Sequence, residues 1–99
     1  MWILQSPNGR TRPLLFRVLP GAVKTVGRAP RADFIVDAAL VSRVHCRLEA
    51  DAEKLEVIDL SSTNGTFVND ERVERANMKS GDRLRVGRVE LTVEKKATG

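Results

Sequence analysis

Between residues 83 and 94 apolar and charged side chains alternate with a period of two. Leu84 and Val86 interleave with Arg83 and Arg85; Val89, Leu91 and Val93 interleave with Glu90, Thr92 and Glu94. An extended strand gathers such apolar positions on one face. Gly87-Arg88 lies between the two halves and suits a two-residue hairpin turn of type I′ or II′. The segment therefore predicts an antiparallel hairpin with one face on a core and the other in water.

The same period recurs along the chain. Cys46, Leu48 and Ala50 alternate with Arg47 and Glu49, and Leu55, Val57 and Asp59 alternate with Glu56, Ile58 and Leu60. Residues 2–5, 14–19, 23–26, 34–36 and 66–68 are further short strand candidates. Asn8-Gly9, Pro20-Gly21, residues 51–54 and Asn64-Gly65 supply turns. Only residues 38–41 and a turn near 76–79 offer short helical pieces. Many short strands with frequent turn signals predict an all-β sandwich or barrel. Residues 1–94 form one domain on this reading, and the polar 95–99 segment is a frayed tail or the start of a linker.

A chain of 99 residues suffices for a single core. With 41% hydrophobic and 30% charged residues, its composition is globular rather than disordered. No apolar run is long enough to span a bilayer, and the first residues lack the basic and apolar regions of a secretory signal. One cysteine, Cys46, excludes an internal disulfide and reads as a small buried hydrophobe. One Cys and one His are too few for a structural zinc site, so no metal or other cofactor is expected. A reducing compartment fits: cytoplasmic, or nuclear in a eukaryote. The net charge of +4 and pI near 9.8 favour anionic partners. Aromatic residues make up only 4%, which leaves few stacking platforms and makes nucleic acid an unlikely partner.

Three clusters stand out against this background: Val26-Gly27-Arg28 closing a strand, Val41-Ser42-Arg43-Val44-His45 opening one, and the run from Asp59 to Asn69 that contains Ser62-Thr63-Asn64-Gly65-Thr66. A phosphate monoester carries nearly two negative charges and three strong acceptor oxygens. A receptor for it needs a planar fork of donors, short hydroxyls and backbone N–H groups held on loops. Arg28 at a strand end supplies the fork. Ser42 supplies a hydroxyl, and the turn at Ser62, Thr63 and Asn64 offers N–H groups outside a sheet ladder.

In order and interval the three clusters resemble the signature of the forkhead-associated (FHA) family, over most of the chain. The resemblance implies a two-sheet β-sandwich of about 10–11 short, mostly antiparallel strands with the ligand loops at one end. It implies a module that binds phosphothreonine peptides in phosphorylation-dependent protein–protein interactions of signalling. The partner is a phosphothreonine-containing protein, or a phosphorylated segment of the same polypeptide, with no membrane involved. By resemblance, Arg28, Ser42 and Thr63 contact the phosphate, Asn64 holds the peptide backbone, and Arg43 touches the ligand as well. Gly27, His45, Ser62, Gly65 and Asn69 are supporting positions, His45 bracing the loops.

Each residue also has a plain reading: Arg28 a solvated strand end, Ser42 a local turn former, Asn64-Gly65 a hairpin turn. Ser42, His45 and Asp59 are the residue types of a hydrolase triad, but no nucleophile elbow surrounds Ser42, and no catalytic residue or enzyme activity is expected. The alternative function is a phosphate-independent scaffold or dimerisation domain of the same fold.

Overall fold

The computed structural model describes residues 1–7 and 13–97, so the predicted Asn8-Gly9 turn lies outside the described residues. Eleven strands run in chain order: β1 Trp2–Gln5, β2 Leu15–Val18, β3 Val23–Gly27, β4 Phe34–Ile35, β5 Cys46–Ala50, β6 Leu55–Asp59, β7 Thr66–Val68, β8 Glu71–Val73, β9 Arg75–Met78, β10 Arg83–Val86 and β11 Val89–Lys95. They form a six-stranded sheet, β2-β1-β11-β10-β7-β8, and a five-stranded sheet, β4-β3-β5-β6-β9. Every pairing is antiparallel except β3 with β4.

Alternation decides which face each strand buries. In β10 and β11 Leu84, Val86, Leu91 and Val93 are fully buried, and they meet Leu48, Leu55 and Val57 of the other sheet's strands in one core. Cys46 joins that core; burial first, then the Asp59 charge, pushes its thiol up to about 12. The stacked rings of Phe16 and Phe34, 4.5 Å apart, close the sandwich between edge strands β2 and β4. The β10–β11 hairpin turns at Gly87-Arg88 as predicted, with Gly87 at φ +59°.

The structure departs from local expectation at four places. Residues 76–79 do not turn: Arg75–Met78 is strand β9, paired with β6 and burying Met78. Residues 38–41 make a turn closed by Val41 N–H on the Ala38 carbonyl, and Leu40, at φ +72°, cannot extend it into a helix. A second tight hairpin, β7–β8, turns at Asn69-Asp70, both left-handed at φ +51° and +67° as a type I′ turn requires. At the C-terminal end the ladder continues past residue 94. Lys95 pairs with Trp2, and the Lys96 N–H donates to the Met1 carbonyl.

Candidate functional site

The three sequence clusters meet at one end of the sandwich, where chain segments leave the five-stranded sheet. Past Gly27, the Arg28 N–H donates to the Ser42 carbonyl and the Ala29 N–H to that of Arg43. On the other side of the same loop the Leu60 N–H donates to the His45 carbonyl, and the Thr63 N–H donates to Ser42 Oγ at 3.0 Å. The segment from Ser42 to Val44 is thus held between two others. Gly27 permits the close approach. A Cβ there would lie 2.8 Å from the Arg43 carbonyl carbon and nearer still to its oxygen.

Arg28, Leu40, Val41, Ser42, Arg43, Val44, Ser61, Thr63 and Asn64 line a shallow open cleft. Every residue expected to touch ligand is in that set. Two arginines and no carboxylate face it, so its potential favours an anion. The Arg28 Nε donates to the Val41 carbonyl at 3.2 Å, which aims the guanidinium and leaves both terminal nitrogens unspent on this bond. Ser42 Oγ accepts from Thr63, and its own O–H remains a donor. Asn64 Nδ2 donates to the Leu40 carbonyl at 3.0 Å, so its Oδ1 is the group left to accept.

One expectation about this loop is corrected. The Ser62 N–H is not a free anion donor; it donates to Asp59 Oδ2, and the Thr63 N–H is taken by Ser42 Oγ. Donors for an anion here are side chains more than amides. Asn64-Gly65 is not a hairpin turn either. It carries the chain from β6 in one sheet to β7 in the other, with Gly65 at φ +90° and the Arg72 side chain against it.

Beneath the cleft sits a buried polar brace. His45 Nδ1 accepts the Ser42 N–H at 3.0 Å, which fixes the ring tautomer, so Nε2–H donates to the Gly65 carbonyl at 2.8 Å. Asp59 accepts from Ser62 Oγ, Thr66 Oγ1 and the Ser62 N–H, and Ser62 Oγ in turn accepts the Gly65 N–H. Burial raises the Asp59 pKa, but these hydrogen bonds and the His45 ring outweigh it and hold the carboxyl below its usual range. No Ser-His-Asp relay exists: His45 meets Ser42 through the backbone N–H, and its other nitrogen meets a carbonyl. Asn69 braces the opposite hairpin, its Oδ1 accepting the Arg83 N–H.

A larger cleft lies beyond Ser61, about 710 Å³ against 580 Å³. Its lining sets Asp59 and Glu74 beside Arg72 and Arg75, and the carboxylates oppose a dianion. Charge, not volume, singles out the Arg28 cleft. Sequence reasoning missed Ser61, which separates the two clefts at φ +56°, and the cleft-lining Val44. A non-glycine residue in left-handed backbone leaves no local sequence signal.

The family model of the FHA domain matches residues 24–87. The glycogen accumulation regulator GarA of Mycobacterium tuberculosis is 34% identical over 89 residues, 90% of this chain and 52% of that protein. The chain thus spans about half the length of this relative. The FHA domain of FhaA, solved in complex with the intracellular domain of Rv3910, is similar at a TM-score of 0.84 and 32% identity, over 95% of this chain and 100% of that one. A structure from a study of phosphothreonine-dependent FHA domain interactions is similar at a TM-score of 0.83 and 32% identity, over 97% of both chains. The chain belongs to the FHA domain family.

Proposed function

We propose that this FHA domain is a phosphothreonine-peptide binding module that mediates phosphorylation-dependent protein–protein interaction in signalling. One observation carries the reading: a guanidinium and two hydroxyl side chains converge on a single cleft that holds no carboxylate. Arg28 would grip the phosphate with its terminal nitrogens, Ser42 and Thr63 would donate their hydroxyl protons, and Arg43 would add charge. Asn64 Oδ1 would accept a backbone N–H of the extended ligand. His45, Ser62, Gly27, Gly65 and Asn69 would hold the loops without meeting ligand.

No group on the chain is given a catalytic role; the domain binds. The partner is a phosphothreonine-containing protein, or a phosphorylated segment of the same polypeptide, and residues 1–96 act as the folded module. Among the described residues no helix is long and apolar enough to cross a membrane, and a cytoplasmic site of action is proposed.

The test is a calorimetric titration of one peptide in three forms, selected from an oriented phosphothreonine library. The phosphothreonine form is expected to bind and the unphosphorylated form to bind at least about a hundredfold more weakly, the loss of roughly two charge-assisted hydrogen bonds. The phosphoserine form should be intermediate, since it lacks one methyl, worth about 0.8 kcal/mol. Equal binding of phosphorylated and unphosphorylated forms would convert the reading to the phosphate-independent scaffold.

A further inference from the structure

Among the described residues six large apolar side chains are exposed, and four of them sit on one flank of the sandwich. Leu15 lies in β2 and Leu19 just after it, Val23 begins β3 and Ile35 ends β4. On this flank β2 is the outermost strand of the six-stranded sheet and β4 that of the five-stranded one, with the Phe16 and Phe34 rings stacked between them. A free strand edge is a template for pairing, and charge ordinarily blunts it. The opposite flank follows that rule, with Glu71, Arg72, Glu74 and Arg75 along β8 and β9. The β2 edge carries one charge, Arg17, and leaves Leu15 51% and Leu19 58% exposed.

The hydrogen bonds of β2 fix what its free edge offers. The Ser6 N–H donates to the Leu14 carbonyl and the Leu14 N–H to Ser6 Oγ, so Leu14 bonds toward β1. Successive residues of an antiparallel strand turn their backbone groups to alternate sides. Phe16 and Val18, opposite Leu4 and Trp2, therefore bond toward β1 as well. The far side of β1 agrees: there the Met1 carbonyl accepts the Lys96 N–H, which leaves Trp2 and Leu4 to β2. The N–H and C=O groups of Leu15 and Arg17 thus point off the sheet, with no backbone partner among the described residues.

Two copies of this edge complement each other in one register. With Leu15 opposite Arg17 of a second copy, each pair exchanges both backbone bonds, and a twofold axis at Phe16 repeats the exchange. Arg17 opposite Arg17 would oppose like charges, and Leu15 opposite Leu15 would set Arg17 against Pro13, which has no N–H to give. In the favoured register Phe16 faces its own copy across a closely spaced pair, each ring already stacked on a Phe34 at 4.5 Å. On the outer face Leu15 lies along the aliphatic stem of Arg17 from the second copy.

We infer that the domain self-associates through β2, two copies pairing antiparallel at this edge to join their six-stranded sheets into one. The Leu15 end of β2 is the cleft end of the sandwich: Gln5, opposite Leu15, also pairs with Thr92, toward the Gly87 turn that abuts Leu40. Antiparallel pairing therefore points the two Arg28 clefts in opposite directions, and the dimer links two separate ligands. The inference does not depend on what the cleft binds.

The test is sedimentation equilibrium of the chain from about 10 µM to about 2 mM, where so small an interface is expected to dissociate on the order of 100 µM. Arg17→Pro removes a donor that the β1 ladder does not use, and should weaken association at least about tenfold. Leu15→Lys sets like charges opposite Arg17 of the second copy, and Leu15→Glu sets unlike ones. The Lys variant should associate at least about tenfold more weakly than the Glu variant, a difference that loss of apolar surface alone would not produce. Thermal unfolding of each variant reports that it is folded, and an Arg17→Pro chain that does not fold leaves the Leu15 pair to decide. A wild-type chain that stays monomeric to about 2 mM overturns the inference. So does a dimer indifferent to a folded Arg17→Pro, or Lys and Glu variants that associate alike.

Discussion

Replacing Arg28 separates ligand binding from folding more cleanly than any other change at the cleft. Its backbone N–H, which donates to the Ser42 carbonyl, is indifferent to the side chain. The side chain itself is exposed and contributes one internal bond, Nε to the Val41 carbonyl at 3.2 Å. Arg28→Ala therefore leaves the loop junction in place, and its melting temperature should stay within about 3 °C of wild type, since an exposed side chain contributes roughly 0.5 kcal/mol.

Binding is another matter. With Nε anchored, the two terminal nitrogens face the cleft as a fork suited to two phosphate oxygens. Two hydrogen bonds to a charged group are worth about 1.5 kcal/mol each at the low end appropriate to an open site, so Arg28→Ala should lose about 3 kcal/mol, roughly a hundredfold in affinity. Arg28→Lys keeps the charge but loses both the fork and the tether to Val41, and should fall about tenfold. Calorimetry with a library-selected phosphothreonine peptide, paired with thermal unfolding of each variant, reads both effects. A folded Arg28→Ala domain that binds within threefold of wild type would refute the idea that this guanidinium meets the phosphate.

Gly27→Ala should destabilise the domain by about 2 kcal/mol or more, because the new methyl drives into the Arg43 backbone rather than into a flexible side chain; urea unfolding that shows less than about 0.5 kcal/mol of loss would mean the approach is slack. Asp59→Asn should cost about 2 kcal/mol near neutral pH, since an amide that keeps Oδ1 on the Ser62 and Thr66 hydroxyls turns its NH2 against the Ser62 N–H that now donates to Oδ2. The folded Asp59 pKa is depressed, so its contribution is fully present above the ordinary carboxylate range and is lost as pH falls through the lower folded value. The stability gap between wild type and Asp59→Asn should accordingly close below about pH 4, and a gap that persists there would assign the effect to packing.

Which parts of this molecule can be read from residues alone follows from the range of the forces involved. The β10–β11 hairpin is legible because alternation and a glycine turn act within a dozen residues. Strand β9 is not: Ala76 and Met78 alternate with Arg75 and Asn77 over only four residues, none of them a strong strand former, and the segment is strand because β6 offers its edge and a buried place for Met78. The cleft divides the same way. Arg28, Ser42 and Thr63 are visible as residue types whose chemistry suits a dianion, yet sequence distance says nothing of their meeting. What joins them is a set of long-range bonds, Thr63 N–H to Ser42 Oγ and His45 to both Ser42 and Gly65, and these also consume amides that local reasoning counts as free. Leu40 is the extreme case. Its identity predicts burial and its neighbours predict a helical turn, while the fold leaves it exposed in left-handed backbone. Where local preference and fold disagree this openly, long-range bonds set the conformation, here the Asn64 amide that donates to the Leu40 carbonyl across the cleft.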